Sequence, residues 1–302
     1  MSPIKEPCYF AAEIRPENMS GPFRQNIRRM SRNLSNPLGW NVATWEEYVR
    51  LFDKARGETA IGEASASYLW SESAPGRIAE RLPQSKIIII LRDPAERAFS
   101  HYLHQLSFGL TRSSFRQHLE QCLRNKGPEI NIYNPFLEAG LHAKQVKRYA
   151  ERFPGNQIQI HFYEEAWRRT GTFLADIFKF LDVDPGFIPD TSRKSLQRRA
   201  PRFPSLNQTL KRWEFVKRLG SVVPDRFRSL MFRPGSALKM SVEDRHFLCD
   251  FYREDVNTLS VMLGRDLSSW LLPLSPLSSR SSSSDPHREP TRRNMTDEES
   301  SR

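Results

Sequence analysis

Five aliphatic residues in a row, Ile87-Ile88-Ile89-Ile90-Leu91, constrain this chain more than any other feature. The run is too short for an ordinary helix and is bounded by Lys86 and by Arg92-Asp93-Pro94, so it reads as a strand. Unbroken aliphatics, without alternation, suit a strand covered on both faces, the habit of parallel sheets in α/β folds. Asp93 before Pro94 is an N-cap followed by the first helical position, where a missing N–H costs nothing. Arg92 therefore belongs at the carboxyl end of a parallel strand, where open α/β sheets bind ligands. Ser100, about two turns into the following helix, brings a hydroxyl back toward the same place. An Arg and a hydroxyl beside a helix N-terminus predict an anion site, with phosphate as the natural occupant. The plainer alternative is a solvated Arg and an incidental Ser.

The same alternation of periods continues along the chain. Residues 1–40 read as irregular, with one short helix. Thr44 opens a helix that runs to Lys54, Thr59 to Ala64 reads as a short strand, and Ala74 to Leu82 as a helix. A helix from 94 to 107 follows the 86–91 strand, and another spans Phe115 to Arg124. Leu141 to Phe153 is helical, Gln157 to Tyr163 alternates like a strand, and Phe173 to Leu181 is helical again. Strands alternating with helices through 59–181 predict an α/β fold with a mainly parallel sheet. A late helix is expected over 243–264, and after Pro273 the Ser, Pro and Arg bias predicts a disordered tail. The expected organisation is one domain over 1–272 and a tail over 273–302.

With 302 residues, 38% of them hydrophobic, the chain has material for a sizeable core. It has no run of eighteen apolar residues and no signal-peptide core, so no membrane partner is expected. Cys8, Cys122 and Cys249 are odd in number and far apart, which fits a reducing, cytoplasmic setting. No histidine or cysteine spacing suggests a metal; His101 and His104 lie one turn apart with no acid or thiol nearby in sequence. Residues 191–239 carry thirteen Lys or Arg against Glu214 and Asp225, which equals the whole net charge of +11. Such a block suits an acidic ligand or simply a solvated surface.

At this point the residues resemble a family, the sulfotransferases that use 3′-phosphoadenylyl sulfate (PAPS), and within it the heparan-sulfate-type and bacterial carbohydrate branch. The carrying motif is Leu91-Arg92-Asp93-Pro94-Ala95-Glu96-Arg97-Ala98-Phe99-Ser100-His101-Tyr102. Ser2 to Phe10, Gly62 to Leu69, Phe162 to Glu165, Phe180 to Val183 and Leu263 to Trp270 follow in the family's order. The resemblance implies that Arg92 and Ser100 bind the cofactor's 3′-phosphate, that Glu6 is the general base, and that Lys5 contacts the acceptor or the sulfuryl group. Glu63 becomes a supporting acid, and Arg193, Lys194, Arg198, Arg199 and Arg202 become candidates to line the cleft over anionic ligands. No metal is implied. Cys8 and His142 stand where the family usually has His and Tyr.

One departure weighs against the matches. The family holds the 5′-phosphosulfate in a Gly-rich loop with a Lys, placed after a first strand, and none of the fourteen glycines here heads such a loop. Gly171-Thr172 is the nearest fragment and has no Lys. The expected class is thus a P-loop-NTPase-like sulfotransferase fold, a central parallel sheet flanked by helices, with the first strand and phosphate loop missing. Met1 is expected to be an internal methionine of a longer frame, or the gene to have lost its 5′ end. Three functions follow: sulfuryl transfer from PAPS to a hydroxyl or amine of a carbohydrate, an inactive remnant binding at most the 3′-phosphoadenosine end, or a basic nucleic-acid binder. The third is disfavoured, because no zinc spacing, helix-turn-helix or basic-aromatic ribbon accompanies the charge.

Overall fold

The computed structural model describes residues 1–15, 18–20, 42–125, 127, 129–190, 199–201, 232–234 and 238–273. Along them run α1 (Trp45–Arg50), α2 (Ser67–Trp70), α3 (Ala74–Arg81), β1 (Ile87–Leu91), α4 (Pro94–Ser107) and α5 (Phe115–Arg124). Then come α6 (His142–Ala150), β2 (Ile158–Phe162), α7 (Tyr163–Arg168), α8 (Thr170–Phe180), β3 (Arg199–Pro201), β4 (Phe232–Pro234) and α9 (Val242–Leu263). The expected tail from 274 onward lies outside the described residues, as do Arg193, Lys194, Arg198 and Arg202 of the basic block.

The predicted parallel pairing is present. β1 and β2 run side by side from Ile87 opposite Ile158 to Leu91 opposite Phe162. A short antiparallel pair, β3 with β4, stands apart from that sheet and lies against α4. α4, α6 and α9 pack together behind the carboxyl ends of β1 and β2, and the core runs through Leu91, Ala98, Leu248, Tyr252 and Leu259. Tyr252 is completely buried and donates its hydroxyl to the Leu137 carbonyl at 2.9 Å. That close approach explains Gly140, where a Cβ would stand 2.8 Å from the Tyr252 ring.

Local signals wrote the helix boundaries. Thr44 and Glu47 form a reciprocal capping box at α1, and Asp93 caps α4 as expected. α9 begins on Ser241, which accepts the Asp244 N–H, and stops at Gly264, whose φ of 59° is left-handed. α3 has no cap of its own. Instead the Glu13 carboxylate, sixty residues upstream, accepts the N–H groups of Glu72 and Ser73 at 3.0 and 2.9 Å and the hydroxyls of Ser71 and Ser73.

Two expectations need correction. Thr59 to Ala64 is not a strand: among the described residues nothing pairs with it along its length, and its one backbone tie is Ser2 N–H to the Gly62 carbonyl at 2.9 Å. Nor is β1 covered on both faces. Ile89 and Leu91 are buried on one face, whereas Ile90 on the other is 48% exposed and lines a large cavity.

Candidate active site

That cavity, about 2470 Å³, is bounded by β1, by residues 59–70 and by the inner face of α4. Lys5, Glu6, Arg92 and Ser100 all line it, so the structure brings the four sequence-predicted site residues to one cleft. Glu63, Ser65 and His142 line it too. Among the described residues no cluster of three or more His, Cys, Asp or Glu gathers that could hold a metal.

The Arg92 end is built on β1 and α4. The Arg92 guanidinium lies 3.4 Å from the Glu96 carboxylate and stacks over the Tyr163 ring, 4.8 Å from its centroid. Its backbone is fixed as well, since the Arg92 carbonyl receives His142 Nε2 at 2.9 Å and the Asp93 N–H donates to Glu164 Oε1 at 3.2 Å. Burial holds the His142 imidazole neutral, with its pKa down to about 4, helped by the nearby Arg97 charge. Neutral His142 donates from one nitrogen only, so the Arg92 carbonyl sets its tautomer.

The helix terminus itself is not the anion site. Asp93 Oδ1 already accepts the Ala95 and Glu96 N–H groups at 2.9 and 3.1 Å, which uses the first-turn donors that a phosphate would need. The side chains of Arg92 and Ser100 face the cavity at this end. The Ser100 hydroxyl has no hydrogen-bond partner among the described residues. A cation and a hydroxyl donor on one cavity wall suit an anion.

A residue the sequence reading passed over holds this end in place. Arg245 of α9 is buried, and its guanidinium spans Asp93 Oδ1 at 2.9 Å and Oδ2 at 2.7 Å, the Trp270 carbonyl at 2.8 Å and the Leu272 carbonyl at 3.2 Å. It ties the cap of α4 to the closing segment of the chain. Its signal was present: 245, 248, 252, 256 and 259 form one buried stripe along α9, and Arg245 is a charge in that stripe.

The Glu6 end is a loop rather than an element. Glu6 and Cys8 both adopt left-handed backbone, with φ of 55° and 54°, a conformation that non-glycine residues enter only when their surroundings compel it. Behind them an aromatic cluster of Tyr9, Phe10, Trp45 and Tyr48, with stacked and edge-on ring centroids 5.0–6.5 Å apart, fastens the segment to α1. Burial raises the Glu6 carboxyl above the ordinary carboxylate range, only partly offset by Lys5. Burial likewise pushes the Cys8 thiol up to about 11, so it is not a nucleophile near neutral pH.

Cleft, sheet and charge define an α/β protein with a cation and a hydroxyl at the carboxyl end of a parallel strand and a half-buried carboxylate lining the same cavity. Comparison with known proteins narrows the class. The family model for the sulfotransferase domain matches residues 73–218. A solved sulfotransferase from Alicyclobacillus acidocaldarius superposes with a TM-score of 0.67 at 29% identity, over 89% of this chain and 87% of that one. Bifunctional heparan sulfate N-deacetylase/N-sulfotransferase 2 of Bos taurus is 28% identical over 215 residues, 69% of this chain and 23% of the relative. Human bifunctional heparan sulfate N-deacetylase/N-sulfotransferase 3 is 33% identical over 128 residues, 41% of this chain and 15% of the relative. The fold is that of a sulfotransferase, residues 73–218 carry the family match, and the chain spans about a quarter or less of the length of these curated relatives.

Proposed function

We propose that this chain transfers a sulfuryl group from 3′-phosphoadenylyl sulfate to an amine or hydroxyl of a carbohydrate acceptor, in a reducing compartment. The observation that carries the reading is that Arg92, Ser100, Lys5 and Glu6 share one cleft at the carboxyl end of β1. Arg92 and Ser100 would hold the 3′-phosphate, by charge and by a hydroxyl hydrogen bond. The donor supplies the activated sulfuryl group when bound. Glu6 takes the proton of the attacking acceptor; a carboxylate raised by burial is better matched to that task near neutral pH than an exposed one. Lys5, exposed at the mouth of the cleft, faces an anionic acceptor or the transferring group. Positioning and charge stabilisation dominate such transfers, so these side chains act chiefly by placement. The names of the heparan sulfate relatives favour a glycan acceptor, and their N-sulfotransferase designation favours an amine.

Two measurements test the reading. In calorimetry, adenosine 3′,5′-bisphosphate binds and adenosine 5′-monophosphate binds more weakly, and Arg92→Ala removes that difference. In a transfer assay with ³⁵S-labelled PAPS, label enters de-N-sulfated heparan sulfate. Binding without transfer would leave the inactive-remnant reading standing, and salt-steep binding to generic DNA without nucleotide binding would support the nucleic-acid reading instead.

A further inference from the structure

Glu63 lies behind Glu6, at the end of the extended segment before α2, and three hydroxyls converge on it. Ser65 Oγ donates to Glu63 Oε2 at 2.9 Å, and the hydroxyls of Tyr48 and Tyr68 face the same carboxylate. A hydroxyl has a single proton. Once Ser65 spends its own on Glu63, its lone pairs are turned toward other donors, and the Glu63 charge draws the Tyr68 proton in the same sense. Those donors are the backbone N–H groups of the Glu6 loop: Cys8 N–H reaches Ser65 Oγ at 3.1 Å, and Phe10 N–H reaches Tyr68 Oη at 3.3 Å. The loop is also tied upstream, by Ser2 N–H to the Gly62 carbonyl at 2.9 Å. Glu6 is thus slung between two anchors, both on the segment that carries Glu63, and the left-handed backbone at Glu6 and Cys8 is the shape those anchors impose.

We propose that Glu63 is a positioning residue for Glu6: its carboxylate orients the Ser65 and Tyr68 hydroxyls so that they clamp the strained loop which presents Glu6 to the acceptor. This rests on the reading of Glu6 as the base. Glu63→Gln tests it at constant shape, because an amide offers one acceptor oxygen and turns an N–H toward hydroxyls that must also donate. In the full chain, Glu63→Gln lowers kcat about tenfold or more while the KM for PAPS stays within about twofold, the pattern of a displaced group that binds no donor. Added to Glu6→Gln, it costs nothing further, since a residue acting through Glu6 has nothing left to position.

Amide hydrogen exchange gives a readout independent of turnover. Cys8 and Phe10 amides exchange about tenfold faster in Glu63→Gln, Ser65→Ala exposes Cys8 first, Tyr68→Phe exposes Phe10 first, and Tyr48→Phe leaves both protected. Unchanged exchange at both amides in Glu63→Gln overturns the clamp even if Glu6 is the base. An equal loss of kcat from Glu63→Gln with and without Glu6→Gln overturns the positioning role. Full kcat in Glu6→Gln alone overturns the base assignment, and with it any catalytic consequence of the clamp.

Discussion

The two ends of the cleft present side chains to the same space but are held by different means. At the Arg92 end, a buried ion pair between Arg245 and Asp93 fixes the start of α4, both side chains at or below 10% exposure. At the Glu6 end, neutral hydroxyls from Ser65, Tyr48 and Tyr68 converge on the half-buried Glu63, and the loop they hold has no regular structure. Removing one member of a buried charge pair strands the other in low dielectric, whereas removing a hydroxyl loosens a hydrogen bond. The first end is therefore built to fail by unfolding, the second to fail by misplacing one carboxylate.

The largest expected effect breaks the first end. Arg245→Met leaves Asp93 buried without its cation and costs about 3–5 kcal/mol of stability in denaturant unfolding. A loss below about 1 kcal/mol would mean that the cap of α4 does not depend on α9. Next, Arg92→Ala removes the cavity-facing charge, together with its contacts to Glu96 and Tyr163. It weakens adenosine 3′,5′-bisphosphate by roughly 10- to 150-fold in calorimetry, about 1.5–3 kcal/mol, with the fold unchanged by circular dichroism.

A third test separates the ends by pH. Glu6 must be deprotonated to act, and its carboxyl is raised, so kcat climbs as pH rises through that elevated value. Glu6→Gln flattens this limb without shifting nucleotide affinity. A limb that survives in Glu6→Gln belongs to another group. The smallest effect lies at the anchor of the Glu6 segment. Glu13→Ala removes the long-range cap of α3 and costs about 1 kcal/mol, read as a shift in denaturant midpoint. Burial works against the Glu13 charge, but the Ser71 and Ser73 hydroxyls and backbone N–H groups outweigh it, so its folded pKa lies below 4.5. Its stabilising contribution is present above the unfolded value near 4.5 and disappears as pH falls through the folded one, a slope that Glu13→Ala lacks.

What was legible in the sequence follows the range of the forces involved. The aliphatic run, the Asp93-Pro94 start and the Thr44 and Gly264 boundaries are local: one to four residues decide them, and the structure places them where the spacing predicts. Arg92 and Ser100 reached one cavity wall because the strand-turn-helix geometry that links them is local too. Thr59 to Ala64 misled because β-propensity says only that a segment fits a sheet, and no strand among the described residues pairs with it. The N–H groups at the start of α4 are not free in the way an isolated helix would suggest, since Asp93 already accepts from Ala95 and Glu96.

The sequence by itself determined that this is an α/β chain with a cation and a hydroxyl at the carboxyl end of a parallel strand, and the family motif gave those residues their chemistry. Only the tertiary structure decided what holds them. Arg245 meets Asp93 across 152 positions, Cys8 meets Ser65 across 57, and Glu13 caps α3 from sixty residues away. Such pairings carry no periodicity or spacing, because packing brings the partners together only after the local elements have formed. For the same reason the exposed Lys5 and the slung Glu6 became a site only when a loop of left-handed backbone was pressed against a carboxylate that the sequence places elsewhere.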